Sequence, residues 1–409
     1  MRIAFIVDSF PAISETFILN QIIGMIDLGH EVRILAGSRP DDRESHEDIK
    51  KYNLMSMTYY HNDQFHDKLT RVLLFLFLFF FFCHKNPKAF FNSIRIFKYG
   101  RDALSLAYFY KVFLFSLFGG FDIMQCHFGP NGNLAATLKE MGIKGKIVTM
   151  FHGYDIRRGI RDGGGIYKKV FEQGDVVLSI SNYNYKHLIE FGADPKKVIY
   201  HPVGIDLKKY TFRKKDGQAK ESQSIKILSV SRLIEEKGLS FGLRAMAKLI
   251  HERKIANIEY QIIGDGPLRA DIEKLSNDLK IRANVHFWGI QKHENVVELL
   301  NRSDLFFLPS IAEALPVVLM EAQASGLPVV ATNVGSVAQI VEDGQTGFVV
   351  PSRDVDAMAD KLEFLIRHSE QWPDMGRRGR KIIEEKFDSN VLNKKLEEIY
   401  LSLIEQKHE

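Results

Sequence analysis

Two glutamates in the second half of the chain are spaced so that both could bind hydroxyl groups of one ligand. Glu313 and Glu321 bracket the segment EALPVVLME, in which Pro316 suits the first position of a helix because its missing N–H is not needed there. The second glutamate follows the first by eight positions, about two helical turns, so both carboxylates can face one cleft. Carboxylates accept hydrogen bonds from sugar or ribose hydroxyls, and free amides of Val317 and Val318 would point toward a phosphate. For an isolated pair, a charge at a helix N-terminus and a solvated helix residue are the simpler interpretation.

Two cations follow the strand predicted at Ile225 to Ser229 and suit the same kind of ligand. Arg232 and Lys237 would converge on a diphosphate, although either residue alone would be a solvated loop charge. Gly264 and Gly266 form only a G-x-G pattern, which fits a tight turn and contact with a nucleotide base equally well. The absence of G-x-G-x-x-G after the first strand of either half argues against a nicotinamide oxidoreductase.

A histidine motif, FHGYD, follows a predicted strand in the first half of the chain. We expect His152, beside Gly153 and Asp155, to be functional, although a lone histidine is more often a partly buried residue with satisfied hydrogen bonds. Asp155 could instead end a turn or cap a helix. His127, in the segment CHFGPNG, suits a packing role and an acceptor pocket equally well.

Metal chemistry is not expected from this sequence. The two cysteines, Cys83 and Cys126, lie 43 positions apart, which excludes a disulfide framework and a thiolate zinc site. The segment DVD at 354–356 looks like a metal-binding Asp-x-Asp, but it directly precedes the helical pattern at Ala357 to Ile366. We therefore interpret it as a helix cap and expect neither a metal nor a cofactor.

Short apolar runs alternate with helical patterns along the whole chain, which is typical of βαβ units around parallel sheets. The length of 409 residues exceeds the roughly 250 that one hydrophobic core serves, so we predict an α/β protein of two doubly wound domains facing a cleft. Thr16 to Leu28 is predicted to be a helix that Gly29 ends. The predicted strands of the first domain are Arg2 to Val7, Glu31 to Ala36, Asp122 to Cys126, Ile147 to Phe151, Val176 to Ile180 and Val198 to Tyr200. Those of the second are Ile225 to Ser229, Ile258 to Ile263, Asn284 to Trp288, Asp304 to Leu308, Pro328 to Ala331 and Gly347 to Val350.

We place the domain boundaries by composition. Residues 208–224 hold many charges and almost no core-forming side chains, which predicts a surface linker. The first domain is therefore predicted at 1–207 and the second at 208–387, and we expect a C-terminal helix at 388–409 to return to the first domain.

One segment of the first domain is both basic and strongly apolar. Residues 50–118 hold ten Lys or Arg and three Asp, a net charge of +7, and Val72 to Cys83 is a run of twelve apolar residues. That run is too short for a helix to span about 30 Å of hydrocarbon. We predict an insertion at about 65–118 that associates peripherally with an anionic membrane surface, with core helices of the first domain as the alternative. The start, MRIAFIVDSF, lacks a secretory signal, so we expect a protein at the cytoplasmic face of the cell membrane.

The ordered set of motifs resembles retaining glycosyltransferases of family four, which have the GT-B fold of two Rossmann-like domains. EALPVVLME resembles the family motif of two glutamates separated by seven residues, VSRLIEEKG at 230–238 its diphosphate segment, and FHGYD its His-Gly-x-Asp site. The opening FPAISETFILNQIIGMIDLGHEV resembles enzymes of the colanic-acid and exopolysaccharide branch. IIGDGPLR and HFWGIQ resemble nucleotide-side loops, and the donor contacts implied there are Gly264, Gly266, Ile290 and Gln291.

The resemblance implies a hexosyltransferase that moves a sugar, with retained anomeric configuration, from a nucleotide diphosphate sugar to a lipid-linked glycan of a cell-surface polysaccharide, as in exopolysaccharide or lipopolysaccharide synthesis. In that reaction Glu313 would hold sugar hydroxyls and Glu321 the ribose, Arg232 and Lys237 would stabilise the leaving diphosphate, and His152 would position the sugar. Nucleic acid is not an expected partner. The alternatives are another GT-B enzyme, such as a sugar-nucleotide epimerase or phosphorylase, and a non-catalytic nucleotide-sugar-binding protein.

Two segments depart from the family pattern. PAISET at 11–16 lacks the glycine-rich loop that many members have after the first strand, yet its position predicts acceptor contacts by Ser14 and Glu15, in addition to His127 and Asp155. GSVAQ at 335–339 stands where many members have Gly-Gly or Gly-x-Pro-Glu, so the contacts to the sugar are not specified there.

Overall fold

The structure is a computed structural model that describes residues 1–12, 15–40, 47–61, 68–212 and 224–405. Ser14, a predicted acceptor contact, and most of the predicted linker lie outside the described residues. The chain divides into two compact units, one of Met1–Pro202 with Asn393–Glu409 and one of Val203–Leu392. Each unit has its own parallel sheet.

The sheet of the first unit is buried on both faces, as a sheet covered by crossover helices must be. Residues 3–7 of its central strand have no exposed surface. The strands are β1 Arg2–Ser9, β2 Glu31–Ser38, β3 Thr58–Tyr60, β4 Ile123–His127, β5 Lys146–Phe151, β6 Val176–Ser179 and β7 Val198–Tyr200. Their order is β3-β2-β1-β4-β5-β6-β7, and Ile3 of β1 lies opposite Val32 of β2 and Ile123 of β4. Six of these strands match the predicted ones, whereas β3 is an additional edge strand.

Helices of the first unit cover both faces of that sheet. They are α1 Thr16–Asp27, α2 Glu47–Lys51, α3 Lys68–Phe82, α4 Pro87–Ser93, α5 Ile96–Leu104, α6 Ala107–Leu117, α7 Gly129–Met141, α8 Gly153–Asp162, α9 Lys168–Gln173 and α10 Asn182–Glu190. Gly29 has a φ of 84°, so it follows α1 in the conformation predicted for it. The helices α3 to α6 make up the predicted insertion, and Phe90, Phe109 and Phe115 from them share a core with Ala4 and Ile6 of β1.

Helix α3 has one apolar face in the core and another in solvent. Leu78 is 7% exposed, and Phe75 and Phe79 pack against the same core. We call the exposed side chains at i, i+3, i+4 and i+7 spacing the apolar face of α3: Leu69, Val72, Leu73, Leu76, Phe77, Phe80 and Phe81. The core alternative therefore accounts for only part of this helix. Among the described residues, no helix is long and apolar enough to cross a membrane.

The second unit has a six-stranded parallel sheet of the same winding. Its strands are β8 Ile225–Val230, β9 Ile258–Ile263, β10 Val285–Gly289, β11 Leu305–Leu308, β12 Val329–Thr332 and β13 Gly347–Val350, in the order β10-β9-β8-β11-β12-β13. The helices of this unit are α11 Leu239–His251, α12 Arg269–Asp278, α13 His293–Arg302, α14 Val317–Ala324, α15 Val355–Arg367 and α16 Trp372–Lys386. The last helix, α17 Ser389–Glu405, begins in the second unit and continues into the first. All six strands were predicted within about two residues, the usual uncertainty of strand and helix ends.

Two sequence predictions in the second unit need correction. Pro316 is not the first residue of helix α14 but the residue before it, because it keeps an extended ψ of 102° and the helix begins at Val317. Tyr210, in the segment predicted to be a linker, is only 4% exposed, and Arg380 Nη1 donates to its carbonyl oxygen at 2.8 Å. The linker prediction therefore fails at Tyr210, which packs into the unit.

The C-terminal helix completes the first unit from Asn393 onward. Leu396 and Tyr400 have no exposed surface, and the Tyr400 hydroxyl donates to Gln125 Oε1 of β4 at 2.8 Å. A Cβ atom on Gly24 of α1 would lie 1.9 Å from Asn393 Nδ2, so only glycine lets the two helices approach this closely. The last helix is thus part of the first unit's core.

Candidate active site

Charged side chains of the second unit meet at the switch point of its sheet. Strands β8 and β11 are neighbours although they are far apart in the chain, and ligands of such sheets bind at the carboxyl ends of the strands beside this point. Lys237 follows β8 and Glu313 follows β11. The Lys237 Nζ lies 2.6 Å from Glu313 Oε1, so the structure brings these two predicted residues together.

Glu313 is held by a second group as well. The Ser310 hydroxyl donates to Glu313 Oε1 at 2.8 Å, and the Glu313 side chain is 8% exposed against 23% for that of Lys237. Two donors on one sheltered oxygen fix the direction of the carboxylate. Sequence analysis does not identify Ser310, although a serine two residues beyond a wholly buried strand is a recognisable signal for a residue at this edge.

Two glycines let the surrounding loops approach this pair. Gly238 and Gly335 have φ values of 59° and 56°, which side-chain-bearing residues adopt with strain. A Cβ on Gly238 would lie 2.1 Å from the carbonyl oxygen of Pro309, and one on Gly335 would lie 1.9 Å from that of Glu313. The loops after β8 and β12 therefore touch the loop after β11 only because of these glycines.

The G-x-G pattern has the same kind of role. A Cβ on Gly264 would lie 1.9 Å from the carbonyl oxygen of Ser231, and one on Gly266 would lie 2.5 Å from that of Leu233. Gly264 also has a φ of 127°. These contacts show why both positions are glycine, and contact of either with a base remains a prediction.

Other predicted donor residues lie at the same edge of the sheet but are not all close to Lys237. Arg232 is exposed after β8, and Val317 and Val318 begin α14, whose N-terminus no side chain of the described chain caps. Ile290 is 68% exposed, and Gln291 donates to the Trp288 carbonyl at 2.8 Å. Those last two residues follow β10, which β9 separates from β8.

Glu321 is buried and hydrogen bonded to Tyr210. The Tyr210 hydroxyl donates to Glu321 Oε1 at 2.8 Å, and Glu321 is 8% exposed. Burial raises the pKa of Glu321 to about 7, and the hydrogen bond from Tyr210 opposes that rise. His293 Nε2 lies 3.3 Å from the same hydroxyl. Tyr210 is not identified from the sequence, because the charged residues around it predict a surface linker.

In the first unit, two histidines form a buried pair at the carboxyl ends of the neighbouring strands β4 and β5. His127 Nδ1 lies 3.1 Å from His152 Nε2, and the rings stack with 18° between their planes. Burial lowers the pKa of His152 to about 3, and burial together with His152 lowers the pKa of His127 well below its ordinary value. Both rings are therefore neutral near pH 7, and one nitrogen of the pair donates to the other. Phe17 and Phe128 pack on His152 with ring centroids 4.7 and 4.8 Å away.

The structure corrects two predicted acceptor contacts. Asp155 has no exposed surface, and its carboxylate accepts hydrogen bonds from the backbone N–H of His152 and Gly129 at 2.8 and 2.9 Å. It therefore ties together the starts of α7 and α8, which is the capping alternative. His127 has no exposed surface either, and its ring contacts His152, which is the packing alternative.

Glu15 remains a candidate at the same edge. It precedes α1, and burial, with a further contribution from the charge of Asp8, raises the pKa of Glu15 to about 7. Asp8, at the end of β1, accepts a hydrogen bond from Asn131 Nδ2 at 2.9 Å. Sequence analysis misses Asp8, although a carboxylate at the end of the apolar run IAFIV is a clear signal.

The Asp-x-Asp segment is a helix cap, as predicted. Asp354 Oδ1 accepts a hydrogen bond from the backbone N–H of Ala357 at 2.9 Å, at the start of α15. In the part of the chain that the structure describes, no group of three or more His, Cys, Asp or Glu side chains is placed to hold a metal ion.

Two doubly wound units, each with polar side chains at its switch point, define a glycosyltransferase of the GT-B class. The family model described as "Glycosyltransferase Family 4" matches residues 14–209, and "Glycosyl transferases group 1" matches residues 211–382. WcaL of Salmonella typhimurium, named as a colanic acid biosynthesis glycosyltransferase, is 31% identical over 97% of this chain and 98% of its own. The amylovoran biosynthesis glycosyltransferase AmsK of Erwinia amylovora is 31% identical over 98% of this chain and 99% of its own. The chain therefore belongs to this family of glycosyltransferases, which confirms the resemblance drawn from its motifs.

Solved structures confirm the predicted fold. Sucrose-phosphate synthase from Thermosynechococcus elongatus has a TM-score of 0.73 and 18% identity, over 99% of this chain and all of its own. HepE from Anabaena, in complex with UDP, has a TM-score of 0.74 and 16% identity, over 98% of this chain and all of its own.

Proposed function

We propose that the protein transfers a hexose from a nucleotide diphosphate sugar to a lipid-linked glycan during assembly of an exopolysaccharide, with retention of anomeric configuration and without a metal ion. The observation that carries this proposal is the Lys237–Glu313 pair at the switch point, beside the uncapped start of α14. The pair offers a cation for a diphosphate next to a carboxylate for sugar hydroxyls. The names of WcaL and AmsK support the exopolysaccharide, and the UDP bound to HepE supports a nucleotide donor.

The chemistry requires charge stabilisation at the leaving group. The bond between the anomeric carbon and the diphosphate oxygen breaks, and that oxygen takes the bonding electrons. Lys237 and Arg232, together with the amides of Val317 and Val318, stabilise the negative charge. One well-placed cation or N–H group of this kind contributes about 3 kcal/mol to transition-state stabilisation.

The acceptor hydroxyl attacks from the face that the diphosphate leaves, which retains the configuration. Its oxygen bonds to the anomeric carbon, and its proton passes to the departing phosphate oxygen. The alternative, a covalent intermediate, needs a free carboxylate beside the sugar. Asp155, the carboxylate nearest to His152 in sequence, is unsuited because it is buried and accepts two backbone hydrogen bonds.

His152 contributes to this reaction as a neutral group. Because its pKa is held at about 3, the ring neither gives nor takes a proton near pH 7. It positions a hydroxyl or phosphate oxygen by hydrogen bonding, and its contact with His127 fixes the ring. Glu321 holds the ribose through the oxygen that Tyr210 does not use.

The acceptor side of the proposal includes an anionic membrane surface. Most of the exposed large apolar side chains of the described chain lie between Leu69 and Leu117. The same segment contains the cations Lys85, Lys88 and Arg95. An exposed apolar helix face with flanking cations is typical of interfacial helices. A lipid-linked acceptor is then available at the surface on which the enzyme lies.

The test is an assay of the full chain with a panel of nucleotide sugars. A donor present at 100 times its dissociation constant should stabilise the protein by about 2.7 kcal/mol, which a thermal shift detects. The selected donor is then supplied with lipid extracts that contain glycan acceptors, and NMR of the product gives the anomeric configuration. Binding without transfer, or an inverted product, would contradict the proposal.

A further inference from the structure

A cavity in the first unit lies at the edge of the sheet opposite to His127 and His152. Its volume is about 580 Å³, within the range of small-molecule sites. Its walls come from the turn between α3 and α4, the end of α6, and the turns that precede β4 and β5. Because those last turns lie at the amino ends of the strands, the cavity is separate from the candidate active site.

The cavity is basic. Lys85, Lys88 and Lys144 line it, and none of the described residues in its wall is acidic. Lysine binds phosphate as a point charge, so three ammonium groups without a neighbouring carboxylate favour a multiply charged anion. We call this set of side chains the lysine cavity.

One residue of the wall, Ser116, has a buried hydroxyl that solvent in the cavity does not reach. Ser116 is 8% exposed, and its Oγ has no hydrogen-bond partner among the described residues. Buried hydroxyls in folded proteins almost always have a partner. Because the Ser116 Oγ is itself covered by protein atoms, a ligand in the cavity does not supply one, and the three lysines carry the inference.

The position of the lysine cavity indicates where the ligand comes from. Lys85 follows α3 directly, and the apolar face of α3 ends at Phe80 and Phe81, which are 79% and 53% exposed. In a bilayer, a lipid phosphate lies immediately outside the acyl chains. An interfacial α3 would therefore place the lysine cavity at the depth of that phosphate.

We infer that the lysine cavity binds the terminal phosphate of a membrane lipid while the apolar face of α3 enters the acyl region. This inference rests on the proposed membrane association and adds a preference among anionic lipids. It gives the enzyme an attachment point that is distinct from its sugar acceptor.

The test is co-sedimentation of the full chain with phosphatidylcholine vesicles that contain either phosphatidic acid or phosphatidylserine at matched surface charge. The cavity variant carries Lys85→Ala, Lys88→Ala and Lys144→Ala. The matched control carries Lys168→Ala, Lys186→Ala and Lys196→Ala, three exposed lysines of the same unit outside the lysine cavity. Ser116→Ala serves as a variant of unchanged charge.

We expect the wild type to prefer phosphatidic acid, and the cavity variant to lose about a hundredfold in affinity for it, since each lysine contributes about fivefold. Ser116→Ala, which changes no charge, and the control should both keep the preference. Equal losses in the cavity variant and the control would overturn the inference while leaving membrane association intact. Binding to neither vesicle at low salt would refute both, and saturation of the cavity by inorganic phosphate without vesicles would assign it to free phosphate. Transfer to a soluble acceptor tests the proposed chemistry separately.

Discussion

The hydroxyl of Tyr210 donates to Glu321 Oε1 at 2.8 Å, and this contact joins the first residues of the second unit to the glutamate assigned to the ribose. Arg380 holds the Tyr210 backbone, so the hydroxyl has a defined position. One oxygen of Glu321 is thus occupied within the protein, which orients the other.

We predict that removing this contact weakens donor binding more than it slows chemistry. Tyr210→Phe keeps the ring but removes the hydroxyl that donates a hydrogen bond to the buried Glu321 carboxylate. The loss of this hydrogen bond costs on the order of 1 to 3 kcal/mol. Glu321→Ala should raise the donor dissociation constant at least as much. Isothermal titration with the donor and kcat under saturating donor measure the two effects. An unchanged dissociation constant in both variants would contradict the ribose assignment.

Glu321 should also make stability depend on pH. Its pKa in the folded protein is raised from 4.5 to about 7, so the folded state holds a proton that the unfolded state has lost. The contribution of Glu321 to stability is therefore greatest below about pH 4.5 and falls as pH rises to about 7, by on the order of 3 kcal/mol. Urea unfolding across that range should show a smaller fall in Glu321→Gln. Parallel curves of unfolding free energy against pH for the two proteins would refute the raised pKa of the buried Glu321 carboxyl.

The Lys237–Glu313 pair should be essential for transfer. Lys237→Ala, Arg232→Ala and Glu313→Ala each remove a group that acts on the breaking bond, and we expect a loss in kcat of at least about tenfold. Lys274→Ala, at an exposed ion pair on α12, is the control and should retain activity. Circular dichroism checks the fold. Wild-type turnover in the folded variants would exclude the site.

The histidine pair should sensitise the protein to acid. The pKa values of His127 and His152 are below the ordinary value of 6.5 in the folded state, so their contribution is present above about pH 6.5 and is lost as pH falls toward 3. The free energy of unfolding of His127→Gln, measured with urea, should fall less steeply with pH over this range. The substitution should also lower kcat, with rescue in His127→Asn if a single hydrogen bond to His152 suffices. A steeper acid transition in His127→Gln would contradict a neutral pair.

Transfer should survive a chelator, because the cations at the switch point already neutralise the diphosphate. Activity in EDTA within about twofold of the untreated enzyme is the expected result, with donor and acceptor saturating. Loss of activity that magnesium or manganese restores would show that a metal takes part.

Apolar periodicity predicts most of the strands and helices, but it does not predict contacts between residues that are far apart in the chain. Apolar runs bounded by helical patterns predict twelve of the strands. The additional strand, β3, consists of three half-buried residues, too few to show an alternation of apolar and polar side chains. Buried Tyr210 is hydrogen bonded to Arg380 and Glu321, which lie 170 and 111 positions away, so its contacts have no local signal in the sequence. The motifs predict His127 and Asp155 as site residues, but the complete burial of both follows only from the packing of α7 and α8. The pairing of Lys237 with Glu313 follows from strand order, which motif spacing alone does not give.

The C-terminal helix has a consequence for the order in which the protein can be made. On the ribosome the first 202 residues emerge before the second unit, whereas Leu396 and Tyr400, which fill their core, emerge after it. The Gln125 side chain therefore lacks its Tyr400 partner until residue 400 has been synthesised. Domains usually fold from the amino end during synthesis. In this protein the second unit can mature before the first, and chaperone binding to nascent chains that end before residue 393 should be stronger than to full-length ones.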